Sequence, residues 1–167
     1  HVPIKDITKY LNGELIEKTI KITHQELTNR FAIPNPNIWI SGLNPHAGEA
    51  GTIGDEEKNF IIPAIKKLRS EGYSLVGPIS ADTMFYRKKR LKFDAAICMY
   101  HDQALIPIKT LDFHSSVNLT IGLSFIRTSP DHGTAFDIAG KNLANPTSTI
   151  EAIKLAWKLV KKEKKDR

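Results

Sequence analysis

The chain has 167 residues, of which 41% are hydrophobic and 25% charged, with a formal net charge of +6 and one cysteine. That length suits an ordinary globular fold. The lack of a long apolar run excludes a membrane-spanning helix, and a lone cysteine excludes an internal disulfide. The positive charge is concentrated at Arg87-Lys88-Lys89-Arg90 with Lys92, read as a solvated loop, and at the run from Lys161 to Arg167, read as a helix end where cations complement the dipole. No aromatic residues alternate within either cluster to stack on bases, so no nucleic-acid partner and no membrane partner are expected.

In chain order, His1-Val2-Pro3-Ile4-Lys5-Asp6 reads as an extended or turning start. Leu15, Ile16, Ile20, His24, Leu27 and Phe31 recur at helical spacing and predict a helix over 14–31, with His24 partly buried and Pro34 and Pro36 ending it. Residues 38–43, Ile-Trp-Ile-Ser-Gly-Leu, predict a buried strand. It runs into a long loop, 44–54, that holds Pro45, His46, Glu49 and three glycines. Glycines let a backbone approach a ligand closely, although a plain surface loop has the same composition. Asp55-Glu56-Glu57 puts acids at a helix start, with Phe60, Ile61, Ala64, Ile65 and Leu68 on its buried face, Pro63 near a first turn or kink, and Gly72 as C-cap.

Residues 73–77 predict a further strand, after which Asp82 caps a short helix or points into the site, capping being the favoured reading. Residues 95–99 are too short a run for a helix and predict a buried parallel strand carrying Cys98 as an inert thiol. Residues 117–123 alternate and predict one more strand. Thr147 or Ser148 is expected to cap a last helix whose apolar side holds Ile150, Ile153, Leu155, Ala156, Leu159 and Val160. Strands alternating with helices make an α/β fold.

Three constellations carry chemistry. The apolar run 95–99 ends abruptly in Tyr100-His101-Asp102-Gln103, and ligands of open α/β sheets bind beyond the carboxyl ends of strands. The His101-Asp102 pair there serves catalysis, metal binding or plain structural hydrogen bonding. His46 and His101 follow separate strands and His1 opens the chain, so the fold is able to gather three imidazoles around a divalent metal with an open position; His114 and His132 are further candidates. Lys109, Asn118 and Arg127 form the second group, suited to a small anion because guanidinium forks onto carboxylate or phosphate. The third is the run from Asp131 to Pro146, which fits neither helix nor strand periodicity at its start.

This last segment, Asp131-His132-Gly133-Thr134-Ala135-Phe136-Asp137-Ile138-Ala139-Gly140-Lys141 with Ala144-Asn145-Pro146, resembles the nucleotide loop of the isocitrate and isopropylmalate dehydrogenase superfamily. Asn44-Pro45-His46-Ala47-Gly48-Glu49, Tyr100-His101-Asp102-Gln103, Asn118 and Ile126-Arg127-Thr128-Ser129 narrow the resemblance to the 4-hydroxythreonine-4-phosphate dehydrogenase family of pyridoxal phosphate biosynthesis. The resemblance implies α/β/α layers of which this chain is the C-terminal part of a two-domain fold. Residues 1–125 would belong to a metal- and substrate-binding, dimerising domain, and 126–167 would give the other domain its nucleotide loop and last helix.

The resemblance also implies a cytoplasmic homodimer, with a divalent metal (zinc, magnesium or cobalt) shared between subunits on His1, His46 and His101. NAD or NADP would lie on His132, Gly133, Thr134, Ala135, Asp137 and Asn145. A small phosphorylated hydroxy-amino acid would be held by Lys109, Asn118 and Arg127, with His101, Asp102 and Lys109 as the catalytic candidates. The alternatives it leaves are a related β-decarboxylating hydroxy-acid dehydrogenase and an inactive remnant.

Overall fold

The computed structural model describes residues 1–163. Lys164, Lys165, Asp166 and Arg167, the end of the expected basic terminus, lie outside the described residues. The fold is mixed α/β, and the chain divides into two compact units, His1–Pro107 and Ile108–Arg167. The boundary expected at 125/126 refers to a longer two-domain fold.

In the first unit a short helix α1 (Ile7–Tyr10) leads into α2 (Gly13–Phe31), whose first turn is capped by the Asn12 side-chain Oδ1 accepting from Leu15 N–H. Ala32 ends α2 in the left-handed region. Then come β1 (Ile38–Ser41), a π-helical turn (Glu57–Ile61) running into α3 (Ile62–Ser70), β2 (Leu75–Ile79), the short helices α4 (Ala81–Met84) and α5 (Arg87–Arg90), and β3 (Ala95–Ile97). Pro63 near the start of α3 has no N–H to return to the preceding turn, which suits the widened π geometry before it. Gly72 leaves α3 with φ +96° while Tyr73 N–H reaches back to the Leu68 carbonyl. Tyr73 thus belongs to the helix exit, and β2 starts two residues later than the expected 73–77.

The three strands are parallel in the order β2-β1-β3, with Ile38 opposite both Leu75 and Ala95. Alternation along β1 sends Ile38 and Ile40 to one face, where Ile16 and Ile20 of α2 and Ala64, Ile65 and Leu68 of α3 close a core with Ile61, Leu75 and Ile97. Each fully buried Ile or Leu side chain contributes roughly 1.5–3 kcal/mol of hydrophobic free energy. Trp39 points to the opposite face and packs on Phe93, 5.3 Å between ring centres.

Some local expectations are corrected. The basic cluster at 87–90 is a helical turn and not a loop. Asp82 is inside α4, whose N-cap position belongs to Ser80. The strand at 95–99 stops at Ile97, because the Met99 N–H turns aside to the Gln103 side chain. Immediately after it lies an unexpected helix, α6 (His101–Leu111), which has Pro107 in its interior and contains the division between the units. Pro107 cannot donate to the Gln103 carbonyl four residues back; that oxygen lies 3.7 Å from the Cys98 thiol instead.

The second unit holds an antiparallel hairpin, β4 (Val117–Thr120) and β5 (Arg127–Pro130), and the helix α7 (Thr147–Glu163). The strand expected over 117–123 is cut short at Thr120 by the turn into β5, which was not expected. The Thr128 hydroxyl donates to the Ala152 carbonyl, so that face of the hairpin meets α7. Thr147 is already helical, and the capping acceptor is the Asn145 side chain, which takes the Thr147 N–H at 2.9 Å. Ser148 is buried and bridges: its hydroxyl donates to the Ser116 carbonyl and accepts from Asp131 N–H. Of the apolar side assigned to this helix, Leu159 is buried, whereas Ile150 and Ile153 are exposed; Ala152, outside that assignment, is buried as well.

Candidate functional site

Because β1, β2 and β3 are parallel, their carboxyl ends share one edge of the sheet. An open pocket of about 320 Å³ lies there. Every strand feeds it: Leu43, Asn44, Pro45 and His46 follow β1, Ser80, Ala81 and Asp82 follow β2, and Tyr100 and Gln103 follow β3. This is the crevice in which α/β sheets bind ligands.

Gln103 ties the strand ends together. Its amide nitrogen donates to the Gly42 carbonyl at 2.8 Å, while its oxygen accepts from the Ser41 hydroxyl at 2.6 Å and the Met99 N–H at 2.7 Å. The side chain is 9% exposed, so leaving these groups unpaired would cost about 1–3 kcal/mol apiece. The sequence marks Gln103 only as polar; its bridging role needs the sheet.

The loop that delivers His46 runs left-handed. His46, Ala47, Gly48, Glu49 and Ala50 have φ of 54°, 53°, 76°, 42° and 58°. For non-glycine residues this costs roughly 1–2 kcal/mol each and persists only where the surroundings over-determine it. Glu57 is the main surrounding group. It is 2% exposed, and one of its carboxylate oxygens accepts the backbone N–H of both Leu43 and Asn44 at 2.7 Å, with the other 2.9 Å from Asn44 Nδ2. Opposite His46 in the pocket, Asp82 accepts from the Ser80 hydroxyl at 2.5 Å. That bond chiefly, and the His46 charge to a lesser degree, hold its carboxyl below the usual range.

His101 opens α6, and its ring lies 4.7 Å from that of His1, tilted by 56°. Asp102 Oδ1 is 3.6 Å from His101 Nδ1, beyond a good hydrogen bond, and both side chains are substantially exposed. Two imidazoles this close are able to share one divalent ion. Among the described residues no cluster of three or more His, Cys, Asp or Glu is close enough to hold a metal. His1 and His101 come together; His46, in the pocket wall, does not join them in a closed set. Burial pushes the Cys98 thiol up to about 11, in keeping with an inert cysteine.

In the second unit the candidate anion ligands occupy the hairpin and the helix before it. Thr120 pairs with Arg127 and Asn118 with Ser129, so alternation puts Asn118 and Arg127 on one face, opposite the face that meets α7. The Thr120 hydroxyl accepts from Arg127 Nη1 at 2.7 Å, one of the five donors of an exposed arginine. The Lys109 ammonium is 3.0 Å from the Asp131 carboxylate, donates to the Asp131 carbonyl, and lies 5.2 Å from the Phe113 ring centre. The loop with His132, Gly133, Thr134, Ala135 and Asp137 is exposed along its length, with Ala135 at φ +45° and a short 3₁₀ turn at Phe136–Ile138. His132 Nδ1 is engaged with the Gly133 carbonyl at 2.9 Å, and Asn145, besides capping α7, lies 3.3 Å from His114 Nδ1.

These features define a class: an α/β protein with ligand-ready side chains past the carboxyl ends of parallel strands and a separate hairpin face bearing Asn and Arg. The profile described as "Pyridoxal phosphate biosynthetic protein PdxA" matches residues 1–156. A 4-hydroxythreonine-4-phosphate dehydrogenase of Roseobacter denitrificans is 59% identical over 156 residues, covering 93% of this chain and 48% of that relative. The crystal structure of a 4-hydroxythreonine-4-phosphate dehydrogenase from Klebsiella pneumoniae superposes with a TM-score of 0.84 at 38% identity, over 95% of this chain and 48% of that one. A terephthalate 1,2-cis-dihydrodiol dehydrogenase from Burkholderia xenovorans superposes at 0.74 with 34% identity, over 93% of this chain and 49% of that one. The chain belongs to the PdxA family, as the motifs at 44–49, 100–103 and 131–146 lead one to expect. It spans about half the length of the curated relatives it matches. Among the described residues no helix is long and apolar enough to cross a membrane.

Proposed function

We propose that this chain supplies metal-, substrate- and nucleotide-binding residues for the oxidation of 4-phosphooxy-L-threonine by NAD or NADP. The product, 2-amino-3-oxo-4-phosphooxybutanoate, is a β-keto acid and loses carbon dioxide to give 3-amino-2-oxopropyl phosphate. The observation that carries this reading is the His1–His101 ring pair at 4.7 Å beside a strand-end crevice, in a chain of the PdxA family.

The donor set suits a divalent metal such as zinc, cobalt or magnesium: His1 and His101 would bind it, and His46 of the same chain or of a second copy in a homodimer would complete three imidazoles. When bound, the metal would supply Lewis acidity and the nicotinamide a hydride-accepting group. The chain's own residues do the positioning. Arg127, steadied by Thr120, and Asn118 beside it are suited to grip phosphate oxygens with charge-assisted hydrogen bonds. Lys109 would exchange its Asp131 partner for an anionic substrate group. Asp102 is the nearest acid to His101 and would orient that imidazole or carry a proton. The exposed backbone of His132, Gly133, Thr134, Ala135 and Asp137, with Asn145, would receive the adenosine end of the cofactor.

The test is His101→Ala in this chain. Calorimetric titration with Zn²⁺ is expected to lose its binding isotherm, and metal-dependent NADH or NADPH formation from 4-phosphooxy-L-threonine is expected to vanish. Retained zinc binding or retained turnover would overturn the metal assignment. The likeness to a dihydrodiol dehydrogenase supports a second reading, a related dehydrogenase acting on another hydroxylated substrate; faster turnover of a phosphate-free substrate would favour it.

A further inference from the structure

The buried carboxylate of Glu57 has no part in the binding scheme above, yet its contacts converge on the segment that carries His46. We propose that Glu57 is the positioning residue for His46, the group that fixes the left-handed turn by which this imidazole reaches the crevice wall. Its one oxygen gathers the N–H groups of Leu43 and Asn44, which immediately precede Pro45-His46, and its other oxygen takes Asn44 Nδ2. The far side of the turn closes on the same carboxylate. A Cβ at Gly48 would stand 2.6 Å from Glu57 Oε2, and one at Gly42 would stand 3.0 Å from Oε1 and 2.7 Å from the Ala47 Cα. The turn is therefore wrapped around the carboxylate, with glycine where the wrapping is tightest and Ile53 N–H closing it on the Gly48 carbonyl at 3.1 Å.

Glu57 is itself immobilised. It opens the π-helical turn whose last residue, Ile61, is 0% exposed in the core beside Ile65 and Leu68. A rigid path thus runs from the hydrophobic core through one carboxylate to a turn of unfavourable backbone conformation, and from there to His46. Pockets often rest on such buried polar anchors, which hold ligand-bearing segments in one geometry. The neighbouring Glu56 also bonds Asn44 Nδ2, at 2.7 Å, but no backbone N–H of the turn is among its partners.

The test uses the full chain with Glu57→Gln, a change that keeps the shape but turns one acceptor into a donor facing Asn44. Three readouts are taken: the thermal melt, the His46 ring proton resonances assigned by their loss in His46→Ala, and Co²⁺ affinity from its visible absorption. The expected result is a cooperative melt, displaced His46 resonances with those of His24 and His114 unmoved, and Co²⁺ binding weakened on the order of tenfold. If Glu57→Gln does not fold, Gly48→Ala pushes the carboxylate aside without removing it and is expected to move the same signals. His46 resonances that stay in place in a folded variant overturn the proposal.

The cobalt arm rests on the reading of His46 as a metal ligand. His46→Ala with unchanged Co²⁺ affinity would refute that reading alone, since the resonance shift reports positioning by Glu57 whether or not a metal binds.

Discussion

The two compact units hold their candidate ligands by different means. Among the described residues nearly every buried apolar side chain lies in the first, from Ile7 to Met99, and the second buries only Ala152 and Leu159. The second unit instead exposes Phe113, Phe125, Phe136, Leu143, Ile153 and Trp157. It is tied by polar links: Ser148 to Ser116 and Asp131, Ser116 to Asp131, Asp131 to Lys109, and Thr128 to Ala152. A two-stranded hairpin is marginal by itself, so Asn118 and Arg127 depend on these links and on α7. His46 and His101 sit on the ends of strands rooted in a packed core. Packing places the strands that lead to the histidines, with Glu57 and Gln103 bonding their ends, whereas hydrogen bonds alone tie the anion ligands.

The sharpest way to break this contrast is Ile65→Ala. Ile65 is 1% exposed in the first core, and deleting its buried methyl and methylene groups is expected to cost about 2–5 kcal/mol. Amide hydrogen exchange is the measure: protection should fall in α2, α3 and β1 while α7 keeps its own. An equal fall in α7 would mean that one cooperative core supports both regions. Next in size is Ser148→Ala. It leaves the Asp131 N–H and the Ser116 carbonyl without their partner, for an expected loss of about 1–3 kcal/mol confined to the exchange of the hairpin and α7. A neutral result would show that the polar links do not hold the second unit.

How far the sequence discloses this arrangement depends on whether a signal is local. His46 and His101 are legible because each follows an apolar run that stops at polar residues, the mark of a strand end beside a crevice. The core face of α3 is legible because Ile61, Ala64, Ile65 and Leu68 keep helical spacing through the π turn. Helix α6 escapes because Pro107 interrupts its pattern and because its first turn, His101-Asp102-Gln103, has the polarity of a loop. Strand β5 escapes because Arg-Thr-Ser-Pro has no apolar alternation; only its pairing with β4 makes it a strand. Glu57 reads as one of three acids complementing a helix dipole, since its real partners lie 13 and 14 residues earlier. Ser80 takes the N-cap position given to Asp82, two serviceable capping residues being too near each other for propensity to choose.

The smallest expected effect is the most discriminating about the second unit. Trp157 is 62% exposed and its ring meets the Lys161 ammonium at 5.0 Å from the ring centre. An exposed cation–π contact is worth about 0.5–1 kcal/mol at most, and surface substitutions away from buried features generally stay within about 0.5 kcal/mol. Trp157→Ala should therefore shift the urea midpoint of this chain only slightly, with an unchanged slope. A loss of several kcal/mol would contradict the exposure itself, because only a buried Trp loses about 3–5 kcal/mol on truncation to Ala. The apolar face of α7 would then be covered in solution, and hydrophobic burial would place Asn118 and Arg127 as it places the strands that lead to the histidines.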